Sequence, residues 1–499
     1  MIIIKKLRNI FRICKFHVFD EGMLDNLEMT FYEHNNNIED KDIFTSIIIG
    51  ENGTGKSYLL HMISEAFIEL SELRNNRILK SKNKYILEYM IEGKKVYIDN
   101  SKGLIKAYIN NDPVDVKIIP LPKKIICSSF LLNDKFRFKG EEEERLPIYE
   151  YQGVKGSRSI ANTKTLVKRT ANNIIKSSNN INFIEKIKYL IKFLDLGYEI
   201  DLVYEIRSKK SFFEEYINED MLINELDDAL ARRKHTPFWK IKYENLKNED
   251  KIQNIVNALN SNEFNPIKFN NKNCIRYTID LEYISNNKKI IEDLDIIQQL
   301  MSIDILASPS IIVSKLGKKY SLVDGSSGEG NLIFTLINIL AKIRDNSLIF
   351  IDEPEISLHP NWQIKYIHLL KELLKDYYNC HIIIATHSHF MVSDIDRMSS
   401  SLTILKNEDK RISLYTNSLD TYGWSAENIL YNVFGVPTNR NYYLSLEIDE
   451  ILDCISKGQD LLEINSKIQK LSKVKNSLLD SDPLKSIISL IEDKVNERI

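Results

Sequence analysis

Gly50, Gly55, Lys56 and Ser57 stand at the G-x-x-x-x-G-K-[ST] spacing within GENGTGKS. The chemistry that spacing serves is phosphate binding. Glycines at 50, 53 and 55 let the backbone curl so that successive N–H groups point inward, and the helix N-terminus behind them adds partial positive charge. Asn52, Thr54 and Tyr58 fill out the loop and the helix entry, and with Gly50, Gly53, Gly55, Lys56 and Ser57 they form the expected nucleotide-binding set. Lys56 is expected to reach the β- and γ-phosphates, and the Ser57 hydroxyl to ligate Mg²⁺.

A second cluster lies in LIFIDEPEISLHP, where four apolar residues deliver Asp352 to the end of a buried strand. Ligands of open α/β sheets gather at such ends. Asp352 is expected to hold Mg²⁺ through water, and Glu353 to polarise an attacking water as general base. Ser326-Ser327-Gly328-Glu329-Gly330 opens the helix before that strand. Alone it reads as a serine helix cap; ahead of an Asp-Glu strand it reads as an anion seat. His387, after the apolar run IIIA, stands where a γ-phosphate sensor would. The spacing of His359 and His389 makes no metal set, and both read as loop or packing residues.

These residues need strands that end level and helices that start there. Ile47-Ile48-Ile49, Lys124 to Ser129, Leu348 to Ile351 and Ile382 to Ala385 read as buried strands. Interleaved with helices after Ser57, over 332–340 and over Asn361 to Tyr378, they predict a largely parallel α/β sheet. Arg12 to Phe19 and Leu27 to Phe31 read as two further strands, and Asn35 to Asp42 as a polar loop. Tyr85 to Ile91, Lys95 to Ile98 and Leu104 to Ile109 read as a small antiparallel meander closed by a turn at Asn110 to Pro113. A strand pair is expected around Ser310 to Lys315 and Tyr320 to Val323. Four helical segments (Thr163 to Ile175, Asn182 to Leu194, Asp220 to Arg232, Phe238 to Leu259) form a mostly helical insertion. Two or three amphipathic helices follow Leu444.

The 499 residues are 43% hydrophobic and 28% charged, an ordinary globular composition too long for one core. A net charge of −2 makes no bulk electrostatic case for nucleic acid. The acidic run Glu141 to Glu144 with Arg145 reads as solvated surface. No apolar stretch approaches membrane-spanning length, and MIIIKKLRNI has the reverse of a signal-peptide charge order. Cys14, Cys127, Cys274, Cys380 and Cys454, odd in number and without C-x-x-C spacing, read as reduced thiols of a cytoplasmic protein.

The order phosphate loop, S-S-G-E, D-E, S-L-H-P, A-T-H-S resembles that of ABC-type ATPases, in the soluble branch with the SMC and RecF proteins. GENGTGKS, DEPEISLHP and ATHS look most like the PtuA-like ATPases of Septu and retron anti-phage defence systems. The linking segments Ser128 to Phe136, Tyr149 to Gly153 and Trp424 to Arg440 share that likeness. The resemblance implies an α/β ABC-type head, a mostly parallel sheet with flanking helices plus an antiparallel β subdomain. The head's lobes would be residues 1–156 and 306–420, with a helical insertion at 157–305 and a helical docking segment at 421–499. Carried over, Gly50 to Ser57 are Walker A, Ser327 and Gly328 (with Glu329) the signature, and Asp352 and Glu353 Walker B. Ser357 to His359 are the D-loop, and His387 is the switch histidine.

In proteins of this resemblance the signature of one head completes the site on another, which implies a homodimer or higher homo-oligomer using ATP and Mg²⁺. A separate HNH-type nuclease partner would do the cutting, no intrinsic nuclease is expected, and retron RNA or DNA or phage DNA would be the nucleic acid met. Gly330 stands where the signature usually has Gln, and Asn133 or Asp134 replaces a Q-loop glutamine; both departures imply slow hydrolysis. The competing reading is an SMC/RecF-type DNA repair ATPase, with Lys164, Lys168, Arg169 and Lys176 on a basic surface. The D-E-P-E-x-S-L-H-P form and the insertion argue against a transporter subunit.

Overall fold

A computed structural model describes residues 10–19, 22–33, 43–76, 83–131, 133–139, 146–155, 163–207, 216–232, 244, 249–260, 267–269, 271–393, 395–396, 398–408, 411–417, 421, 424, 429–430, 442–457, 465–478 and 482–496. The N-terminal MIIIKKLRN, the loop from 35 to 42, the acidic run 141–145, most of 238–248 and nearly all of 424–440 lie outside the described residues. The chain divides into two compact units, Met1–Gly423 and Trp424–Ile499.

The first unit opens with β1 (Arg12–Phe19), β2 (Leu27–Thr30), β3 (Ile43–Gly50), α1 (Lys56–Arg74), β4 (Lys84–Ile91), β5 (Lys94–Asp99), β6 (Lys106–Ile109), β7 (Asp112–Val114), β8 (Lys124–Ser129) and β9 (Tyr149–Tyr151). Next come α2 (Thr163–Ser177), α3 (Ile181–Phe193), β10 (Glu199–Glu205), α4 (Glu219–Arg232), α5 (Glu249–Leu259), β11 (Ile267–Phe269), β12 (Lys272–Asp280) and α6 (Lys288–Ser302). It closes with β13 (Ser310–Lys315), β14 (Lys318–Ser321), α7 (Ser327–Lys342), β15 (Ser347–Asp352), α8 (Pro360–Leu374), β16 (Cys380–Thr386), β17 (Ser400–Glu408) and β18 (Arg411–Asn417).

The central sheet has seven strands in the order β18-β17-β3-β16-β15-β8-β9. All its neighbours are parallel except the edge strand β18. Strands covered on both faces carry continuous apolar runs, and β3, β15 and β16 are buried along their whole length. The register aligns their ends: Asp352 lies opposite Ala385 and Ser129, and Thr386 opposite Ile49. The loops after Gly50, Asp352 and Thr386 therefore leave the sheet from one edge, at one level.

Helix α1 buries apolar residues on two sides because it is covered on both. One side meets central-sheet residues Ile48, Ile125, Phe350 and Ile383; the other meets a six-stranded antiparallel sheet, β2-β1-β4-β5-β6-β7. Phe67 packs edge-on to Phe11 at 6.3 Å and tilted to Tyr89 at 5.3 Å between ring centroids. Each such aromatic is worth about 1.5–3 kcal/mol of burial, which fixes the helix at its root.

The insertion carries helices α2 to α6, and also three strands that its helical reading did not include. β10, β11 and β12 join β13 and β14 in a five-stranded antiparallel sheet, β11-β12-β10-β13-β14. At seven residues β10 is short enough to pass as a linker between helices, and Asp201 breaks its apolar run from Ile200 to Tyr204. A buried amide ladder ties α2 to α7: Asn173 Nδ2 donates to Asn338 Oδ1 at 2.8 Å, and Asn338 Nδ2 to Thr170 Oγ1 at 2.9 Å.

The second unit contains α9 (Tyr442–Lys457), α10 (Asn465–Ser477) and α11 (Pro483–Asn496), packed around Ile451, Leu471, Ile488 and Ile491. No described helix is long and apolar enough to cross a membrane. All five cysteines are buried and unbridged.

Candidate nucleotide site

β3 ends at Gly50, where only glycine fits. A Cβ there would lie 2.5 Å from the Leu405 carbonyl oxygen and 2.8 Å from Thr54 Oγ1. Gly53 and Gly55 take φ of 83° and 82°, the left-handed region open to glycine at low cost. Thr54 pins the loop, its hydroxyl donating to the Glu51 carbonyl at 2.9 Å. Gly55 then caps α1, which begins at Lys56. Asn52 and Gly53 are exposed at the loop's tip, and Tyr58 packs half-buried against the α1 core.

Lys56 is 4% exposed, and its ammonium donates to the Gly50 carbonyl at 2.9 Å and the Glu51 carbonyl at 3.0 Å. Burial pulls it down to about 8, while Glu353, Asp352 and Glu355 pull the other way. Its Nζ also lies 3.3 Å from His387 Nδ1. An ammonium can only donate, so Nδ1 accepts and the ring proton sits on Nε2, 3.3 Å from Glu353 Oε1. His387 thus bridges Lys56 and Glu353, and the hydrogen bond it gives Glu353 holds that carboxyl below its usual range.

Asp352 accepts from Ser57 Oγ at 3.0 Å through Oδ1, while its Oδ2 is buried without a partner. Burial raises the carboxyl to about 7. A desolvated carboxylate with a spare oxygen beside a hydroxyl is the hard-oxygen donor set Mg²⁺ takes, so the residues fit that ion. Glu353 adopts φ 49°, a strained backbone for a non-glycine, and its N–H still closes on the Ala385 carbonyl at 2.9 Å. That turn carries its side chain away from the sheet toward His387. Gly50, Thr54, Lys56, Ser57, Asp352, Glu353 and His387 therefore meet at one sheet edge.

Ser327, Gly328 and Glu329 are placed elsewhere, at the start of α7. Ser326 caps the helix, accepting from Glu329 N at 3.2 Å, and Ser327 is exposed. Gly328 is pressed against the loop after β15, where a Cβ would stand 2.5 Å from the Ser357 carbonyl oxygen. The Glu329 carboxylate is spent within its own chain, on Lys315 Nζ at 2.5 Å and Tyr320 OH at 2.7 Å. Gly330 is tight too: a Cβ would meet the Leu322 carbonyl at 3.1 Å, which leaves little room for a glutamine.

Asp134 is held by Tyr151 OH at 2.7 Å, Lys155 Nζ at 3.0 Å and the Phe136 N–H at 3.0 Å; Asn133 beside it is exposed. Arg169 is buried, donating to the Gly153 carbonyl at 3.0 Å and lying over the Tyr151 ring, so it adds nothing to a basic surface. His359 caps α8, its Nδ1 accepting from Asn361 N at 3.3 Å, and His389 is tilted against Phe390. Sequence reasoning missed Glu355, whose carboxylate accepts the His387 backbone N–H at 2.5 Å. The one signal it gave was a third acid in DEPE.

The AAA ATPase domain model matches residues 26–392. The retron Vc95 probable ATPase of Vibrio cholerae is 23% identical over 457 residues, covering 84% of this chain and 78% of that protein. Septu protein PtuA of Bacillus thuringiensis is 30% identical over 155 residues, 30% of this chain and 37% of that one. Protein ea59 of Escherichia phage lambda is 30% identical over 138 residues, 27% of this chain and 26% of its own. Among solved structures, the SMC head domain from Thermotoga maritima aligns with a TM-score of 0.34 at 13% identity, over 82% of this chain and 100% of that one. The Smc head domain from Pyrococcus furiosus aligns with a TM-score of 0.31 at 12% identity, over 82% and 96%. A family match spanning most of the chain, on a fold that gathers the phosphate loop and the acidic strand end, makes this protein a member of the AAA ATPase domain family.

Proposed function

We propose that this chain binds ATP on Gly50 to Ser57 and hydrolyses it slowly, at a site completed by Ser327 and Gly328 of a second copy. We further propose that the nucleotide state regulates a cytoplasmic anti-phage defence complex in which a separate HNH-type nuclease does the cutting. The observation that carries the catalytic part is the convergence of Lys56, Ser57, Asp352, Glu353 and His387 at one sheet edge. Support for the regulatory part is the similarity to a retron ATPase and to a Septu protein.

The loop N–H groups and Lys56 would hold the phosphates, replacing the carbonyls that now occupy the ammonium. Ser57 and Asp352 would hold Mg²⁺, whose charge offsets that of the phosphate oxygens. Glu353, ionised and acceptor-only, would orient a water and take its proton. His387 would sense the terminal phosphate while keeping its bond to Glu353.

Two variants test the reading. Lys56→Ala should lose ATP binding by titration calorimetry. Glu353→Gln should keep binding but lose about 10²- to 10⁴-fold in turnover. Wild-type turnover in Glu353→Gln would remove the general-base role. Purification of the tagged chain from its native locus tests the partner: a stoichiometric small HNH protein supports regulation. The chain emerging alone, with ATP-dependent affinity for DNA ends, would instead favour the repair reading.

A further inference from the structure

We propose that Glu355 and Gln363 form a two-point clamp on His387-Ser388, and that Glu355 is a positioning residue for the His387 imidazole. The central sheet cannot do this itself. Its last rung here is Glu353 N to the Ala385 carbonyl at 2.9 Å, and the chain beyond Thr386 has left the ladder. The His387 N–H donates instead to Glu355 Oε1 at 2.5 Å. One residue on, Ser388 Oγ donates to Gln363 Oε1 at 2.6 Å, and Gln363 Nε2 is anchored on the Leu358 carbonyl at 2.8 Å. Both acceptors come from the segment that carries Glu353, so one stretch of chain fixes the acid and the histidine facing it.

The electrostatics show that Glu355 needs such a reason to be there. Burial raises its carboxyl, the neighbouring Glu353 adds to that, and the His387 N–H opposes both. A third acid beside Asp352 and Glu353 costs free energy unless a donor meets it. A backbone N–H to a carboxylate is a charge-assisted bond, roughly twice as strong as a neutral one. Held at its backbone, the ring can bridge Lys56 and Glu353 without spending binding energy on ordering itself.

This inference rests on the proposed nucleotide site for its effect on turnover, but the clamp itself can be read independently. The full chain, labelled with ¹⁵N-histidine, gives at most nine histidine amide signals, and the one missing in His387→Ala is assigned to it. Glu355→Ala should move that amide and lower kcat at least about tenfold, with ATP affinity changed less than about twofold. Glu355→Gln keeps an acceptor and should return both the amide position and most of kcat. In Glu355→Ala/His387→Ala the two losses should not multiply, because one acts through the other. If Glu355→Ala does not fold, Gln363→Leu tests the second point of the clamp by the same amide and kcat readings. An unmoved His387 amide, a Glu355→Gln as slow as Glu355→Ala, or multiplying losses would each overturn the proposal. A wild-type chain without ATPase activity would sink the proposed function, while the amide shift would still report on the clamp.

Discussion

Lys56 sits in a place that does not suit a cation. Its carbonyl partners solvate it, yet burial still brings it from 10.5 down to about 8. The linkage follows from that direction. Between about 8 and 10.5 the unfolded chain keeps a proton that the folded chain has lost, so this group's contribution to stability rises with pH across that window. Below it, the cost of burying the charge is fully present. Phosphates favour the ammonium, so above pH ~8 ATP binding must first bring a proton to Lys56. Apparent ATP affinity should be level to about pH 8 and then fall up to about tenfold per pH unit. Titration calorimetry at pH ~9 in buffers of different ionisation enthalpy should show proton uptake approaching one per ATP. A flat affinity profile across that range would mean the Lys56 charge is not used.

At the level of elements, the packing of Gly328 decides how α7 can start. Gly328 lets α7 start against the Ser357 carbonyl, in a loop where Ser357 itself has φ 63°. Gly328→Ala forces a methyl into a 2.5 Å contact with backbone, which cannot step aside as a side chain would. We expect a loss of about 1–3 kcal/mol on thermal or denaturant unfolding, with single-chain ATP binding kept, because the phosphate loop is untouched. An unchanged unfolding midpoint would show that α7 and the Ser357 loop are not fitted to each other. The elements that carry this geometry were largely legible in the sequence. Apolar runs such as SLIFID and CHIIIAT announce doubly covered strands, and a glycine loop followed by apolar periodicity announces α1. β17 and β18 were not read: SSLTILKNE and RISLYTN mix polar and apolar residues instead of carrying the continuous apolar runs of β15 and β16, with β18 at the sheet edge and β17 beside it. Glu355 was illegible for another reason. Its partner is a backbone N–H 32 residues away, and no spacing rule encodes a contact that only sheet register creates.

Across the whole molecule, the residues expected to meet ATP are divided. Lys56, Ser57, Asp352, Glu353 and His387 share an edge, while Ser327 lies exposed at the start of α7. Among the described residues, no hydrogen bond links Ser326 to Glu329 with the phosphate loop. Glu329 is already committed to Lys315 and Tyr320, so it braces the start of α7, where Ser327 is exposed. A helix start held open in this way can give its donors to phosphates on another copy. If it does, nucleotide and association are coupled reciprocally: ATP favours pairing, and pairing raises ATP affinity by the same factor. Light scattering of Glu353→Gln with MgATP should then show twice the mass seen without nucleotide, and apparent ATP affinity should rise with protein concentration. Adding Ser327→Arg should leave the mass unchanged by ATP and the affinity independent of protein concentration, with one chain still binding nucleotide through Lys56. If Ser327→Arg paired as readily as its parent, Ser327 would lie outside any shared site.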